Sequence, residues 1–141
     1  MPLPKRVQDL FNDSAATKVL ATCSPKNMLH VIPVGSMRAP DANTIVFAAI
    51  FMKEAHNNLK TALEADTLVS VLAAKVVKED NQFIGFQVRC QVKAYDTAGP
   101  IYTGFRDTLM KMGLGVRGAW ILEPVEVINQ SVGPDVGKKI A

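Results

Sequence analysis

Residues 30–37 read HVIPVGSM, residues 44–53 read TIVFAAIFMK, and residues 54–71 read EAHNNLKTALEADTLVSV. The first stretch is apolar and β-prone, and Pro33 removes one N–H donor from any ladder it joins, which suits a sheet edge or a bulge. In the second, residues 44–50 form a strand without polar alternation, so burial on both faces is expected. In the third, Ala55, Leu59, Ala62 and Leu63 recur at helical spacing among good helix formers. A helix over 54–65 therefore crosses between strands before TLVSVLAAK, residues 67–75, returns to extended chain.

The pattern continues outward from this segment. Upstream, residues 17–23 (TKVLATC) are a β-prone run closed by the turn composition SPKN, and an apolar strand over 28–37 completes a hairpin. Residues 38–43 (RAPDAN) read as a second turn. Over 4–13, Val7, Leu10 and Phe11 follow Pro4 at the spacing of a short amphipathic helix lying across one end of a sheet. Downstream, KEDNQ at 78–82 makes a polar turn before the longest strand, 83–95. There Phe86, Val88, Cys90, Val92 and Ala94 alternate with Gln87, Arg89, Gln91, Lys93 and Tyr95. After TAGP at 97–100, Ile101, Phe105, Leu109 and Met112 mark a third helix that stops at Gly113, and a last strand covers 119–128. Six strands joined mostly by short turns, with helices at the ends and after the third strand, predict a mainly β protein. The expected architecture is a six-stranded antiparallel split β-barrel of Greek-key type, one domain over residues 1–141.

Composition narrows the function classes. The net charge of +3 comes from 16 basic and 13 acidic residues, scattered without a basic run, so a nucleic-acid surface is not expected. No apolar stretch approaches the ~20 residues of a membrane span, and MPLPKR is followed by polar sequence, so the reading is cytoplasmic. Cys23 and Cys90 have no CxxC spacing and read as two buried free thiols, with no metal site. GLGVRG at 113–118 matches GxGxxG formally, but a helix precedes it and a strand follows, the reverse of a dinucleotide-binding turn. His30 and His56 are the only histidines, and neither lies in a nucleophilic or metal motif. No catalytic side chain is assigned.

The order HVIPVGSM, turn, TIVFAAIFMK, then EAHNNLK resembles the FMN-binding split-barrel family, the pyridoxamine 5'-phosphate oxidase-like flavoproteins. In that family a PVG strand is followed by an apolar strand, a lysine, and an Asn-Leu pair in the next helical turn. FIGFQVRCQVKAY at 83–95 and GAWILEPVEVI at 118–128 resemble its later strands, so the resemblance runs from Lys18 to about Ile128. It implies a homodimer with FMN at the subunit interface. The backbone of Ile32, Pro33 and Val34 in one strand and of Ala49, Ile50 and Phe51 in the next would line the isoalloxazine ring. Lys53 would carry the phosphate, with helix N-terminal amides and either Asn57 or Asn58.

By the same resemblance the protein is an oxidoreductase or an electron carrier with a small-molecule or protein redox partner. The alternatives are a non-catalytic flavin-binding module and a deazaflavin-dependent reductase of the same fold. Arg89 reads either as a phosphate ligand or as part of an exposed cross-strand face, and Trp120 either as core or as reaching a neighbouring subunit's ring. The chain departs from the family at Glu54, where a hydroxyl or basic residue is common beside the lysine. It also lacks the longer C-terminal basic and aromatic region that full pyridoxamine-phosphate oxidases use for their vitamin substrate, so that reaction is not expected.

Overall fold

The computed structural model describes residues 2–79 and 82–141. Asp80 and Asn81, in the middle of the expected 78–82 turn, lie outside the described residues. Along the chain run α1 (Lys5–Phe11), β1 (Thr17–Cys23), β2 (Leu29–Pro33), β3 (Arg38–Asp41), β4 (Thr44–Ala49) and α2 (Glu54–Ala65). They are followed by β5 (Leu68–Val77), β6 (Gln82–Asp96), α3 (Pro100–Met110) and β7 (Gly118–Asn129). The strands form one antiparallel sheet of seven in the order β2-β1-β5-β6-β7-β4-β3.

This corrects the expected six-stranded split barrel: there are seven strands, and the sheet is open. RAPDAN is not simply a turn: Arg38 pairs with Val46 and Asp41 with Thr44, which leaves only Ala42 and Asn43 to reverse the chain. Pro40 is tolerated because β3 lies at the sheet edge, where a missing N–H costs no ladder bond. β2 occupies the other edge, so the sheet does not close on itself. β2 also ends at Pro33 rather than at Met37. One more backbone bond, Val34 N–H to the Lys18 carbonyl at 2.9 Å, carries the pairing past the proline before the chain turns through Gly35 and Ser36.

β4 is buried on both faces. Its Ile45, Phe47 and Ala49 enter the main core with Leu20, Val71, Val88, Trp120 and Leu122, under α1 and α2. Its Val46 and Ala48 face the opposite way, into a second cluster with Phe105 of α3 and Ala119 of β7. A run of apolar residues without alternation is what a strand between two apolar layers requires. α2 buries Ala55, Asn58, Leu59 and Ala62 on the stripe facing the sheet. Its last turn closes through Asp66, whose φ of 60° is a left-handed C-cap conformation.

The 113–118 loop has the order expected of it, with α3 before it and β7 after it. Gly113 takes φ +77°, and the Leu114 N–H reaches back to the Leu109 carbonyl at 3.1 Å to terminate α3. Gly118 is required by close approach, since a Cβ there would lie 2.3 Å from the Tyr95 ring. The two thiols differ: Cys90 is buried, with its pKa pushed up by burial, whereas Cys23 at the end of β1 is exposed. The expectation of two buried thiols fails at Cys23 because it is the last residue of its strand and points away from the core face occupied by Leu20 and Thr22.

Candidate ligand cavity and its polar end

A cavity of about 610 Å³ opens between β2, β4 and α3. One wall is the end of β2 and the turn after it, from Ile32 to Ser36. The floor is Ala48 of β4, with Ile50, Phe51 and Met52 where the chain leaves that strand. Leu109, Met112 and Leu114 at the end of α3 form the other wall. None of these side chains carries a charge, and the hydroxyl of Ser36 is already engaged, accepting the Ala48 N–H at 2.9 Å. A site of this kind suits a flat, largely apolar ligand held by packing and main-chain groups.

Of the residues singled out from sequence, Ile32, Pro33, Val34, Ile50 and Phe51 converge on this cavity. Ala49 does not. It pairs with Gly118 and is wholly buried in the main core, so the cavity-facing residue of that pair is Ala48. Lys53 occupies the N-cap position of α2, exposed, one residue beyond the cavity's Met52. Asn57 is exposed on α2. Asn58 turns inward and is buried, and its amide donates to the Thr22 hydroxyl at 3.0 Å. Its hydrogen-bonding capacity is thereby partly committed to the interior. Arg89 pairs with Glu126 on the neighbouring strand, and Lys139 approaches the other oxygen of that carboxylate at 3.8 Å.

A polar and aromatic cluster lies where α2 begins. The Arg117 N–H donates to the Ala49 carbonyl at 3.0 Å, and its guanidinium donates to the Met52 carbonyl. Arg117 thus braces the segment that leads from β4 into α2. Trp120 is fully buried, and its indole N–H donates to His56 Nδ1 at 3.3 Å. The Tyr95 ring sits 4.5 Å from the Trp120 ring and 5.1 Å from that of His56. Burial, then the nearby Arg117 and Lys60 cations, hold the His56 pKa below its ordinary value. In the first turn of α2, Glu54 faces His30 of β2, with Oε2 2.5 Å from Nδ1.

Arg117 escaped the sequence reading because it was absorbed into the glycine-spaced loop. The available signal was that it is the one charged residue between Gly113 and Gly118, immediately before the closing strand. Among the described residues, no group of three or more His, Cys, Asp or Glu side chains is placed to hold a metal ion. Nor, among the described residues, is any helix long and apolar enough to cross a membrane.

No protein-family model matches this sequence, and neither does any curated protein sequence. Solved structures do match. HupZ of Group A Streptococcus is 19% identical with a TM-score of 0.72, over 96% of this chain and 99% of its own. An FMN-binding protein from Syntrophomonas wolfei is 15% identical with a TM-score of 0.73, covering 89% of this chain and 83% of that one. A pyridoxamine 5'-phosphate oxidase-like protein from Lactobacillus delbrueckii is 18% identical with a TM-score of 0.64, covering 90% and 93%. The chain has the fold of the split-barrel proteins, the fold that these neighbours share.

Proposed function

We propose that this protein binds FMN in the cavity between β2, β4 and α3, and acts as a flavin-dependent oxidoreductase or electron carrier. The observation that carries this reading is one juxtaposition: an uncharged cavity adjoins, at Met52, a segment flanked by two cations. The uncharged walls suit the isoalloxazine ring. Lys53, the N-terminal amides of α2 and the remaining donors of Arg117 suit a phosphate dianion. Glu54, in the same turn, is engaged by His30 on the side toward β2.

When bound, the flavin supplies the redox chemistry, and the protein's share is binding, orientation and exclusion of water. Ile32, Val34 and Ile50 would hold the ring by packing, with Met112 on the α3 side of the cavity. Ser36 holds the β4 backbone at Ala48, which fixes the cavity floor.

The second part of the proposal is a homodimer. The sheet face turned away from the core exposes Leu29, Val31, Leu68 and Val76. Across β2, β1 and β5 it places Val31, Ala21 and Ser70 in one row and Pro33, Val19 and Leu72 in the next. A continuous face of this composition is suited to covering by a second copy. Free thiols at Cys23 and Cys90 fit a reducing compartment, in line with a cytoplasmic protein.

The test is reconstitution. Purified protein titrated with FMN is expected to saturate, to quench flavin fluorescence, and to sediment as twice the 15.3 kDa chain. Absence of flavin binding would remove the proposal, and exclusive binding of a deazaflavin would move it to the reductase alternative. Reduction of the bound flavin followed by reoxidation with a quinone or a redox protein separates an electron-transfer protein from a passive binder.

A further inference from the structure

The indole N–H of Trp120 can only donate, so the atom it meets on His56, Nδ1, must be an acceptor. The imidazole is therefore neutral, with its proton on Nε2. A second proton would place two donors against each other at 3.3 Å and break the bond. Charged and titratable groups around His56 reinforce the neutral form. Arg117, immediately before β7, and Lys60, four residues on along α2, are both cations, and the β6 neighbour Tyr95 is a neutral phenol. α2 also packs on β1 and β2, where the Thr22 hydroxyl is bonded to Asn58 and His30 to Glu54. The nearest carboxylate on the helix is thus engaged elsewhere.

The geometry points to His56 as a positioning residue: as a neutral acceptor it pins the first turn of α2 to β7, and its protonation in acid releases that turn together with Lys53. The inference rests on the reading that this end of α2 meets the flavin's phosphate. The sign is fixed by linkage. The folded state lowers the His56 pKa, so the pinned geometry is fully present above the unfolded value of about 6.5 and is lost as pH falls through and below it.

Trp120 is the sole tryptophan, so its emission in the ligand-free protein reports the His56 contact directly. Titrated from about pH 8 to about pH 5, wild-type emission is expected to show a transition with its midpoint below about 6.5. His56→Gln should abolish it, because the amide oxygen accepts the same N–H without titrating, while His30→Gln should retain it. Across the same range, affinity for FMN should fall in both proteins as the phosphate's own second proton binds, with its pKa of about 6, and the wild type should lose on the order of tenfold more than His56→Gln. A transition that persists unchanged in His56→Gln, or a flat wild-type titration, overturns the inference. If His56→Gln fails to fold, His30→Gln still decides: with only two histidines in the chain, a transition retained there belongs to His56, and one lost there overturns the inference. Failure to bind FMN at any pH sinks the flavin reading instead, which the ligand-free emission distinguishes.

Discussion

The two faces of β4 are built from nearly the same residues and do different work. Ile45, Phe47 and Ala49 complete a closed core, in contact with α1, α2 and the far strands. Val46 and Ala48 belong to a thinner layer under α3, and that layer ends in an open cavity rather than in more protein. The difference lies in what covers each face. The core face is sealed by α1, α2 and the facing strands, whereas the other is covered by one helix, and Leu109 at its end with Met112 and Leu114 just past it stand around a gap. Residues of equal hydrophobicity thus contribute stability on one side and a binding surface on the other.

The largest expected effect is on the core face. Phe47→Ala removes a fully buried ring, and a loss of about 3–5 kcal/mol in denaturant unfolding is expected. A loss below ~1 kcal/mol would mean that the core face is not sealed.

Next comes the polar end of the cavity. Lys53→Met keeps the apolar stem and removes a charge-assisted contact of about 1.5–3 kcal/mol, which predicts roughly 10- to 100-fold weaker FMN binding. Riboflavin, which lacks the phosphate, should bind wild type and variant alike. Equal losses for both ligands would place the phosphate away from Lys53, with Arg117 the next cation to replace.

A smaller effect comes from overfilling the core at Ala49. Ala49→Leu should cost about 1–3 kcal/mol of stability through strain, while the folded fraction binds flavin normally. Weakened binding at unchanged stability would show that Ala49 faces the ligand after all.

Much of this was legible in the residues themselves. The absence of alternation in TIVFAAI foretold that β4 is covered on both sides, and Ala55, Leu59 and Ala62 marked the buried stripe of α2. That same stripe includes Asn58, so helical spacing alone places Asn58 inward and leaves Asn57 outside. What could not be read was parity. A strand apolar at every position carries no mark of which residues share a face, so the sequence does not tell that the side chains lining the cavity are those of Ala48 and Ile50 while that of Ala49 enters the core. β3 was hidden because Pro40 and Asp41 favour turns, and only its place at the sheet edge makes them acceptable in a strand. Arg117 was hidden because its partners are backbone carbonyls at residues 49 and 52, distant in sequence and without a side-chain signature.

The central claim is that the open face of β4 is the flavin's floor, and Ala48→Leu tests it most directly. The added isobutyl group projects into the cavity while the core face is untouched. Flavin-fluorescence titration of wild type and variant, with unfolding curves to confirm that both are folded, should give saturable FMN binding to wild type. For Ala48→Leu it should give binding weaker by at least about tenfold for FMN and riboflavin alike, since a clash with the ring costs ~1.4 kcal/mol or more. FMN binding of equal strength to both folded proteins would contradict the account.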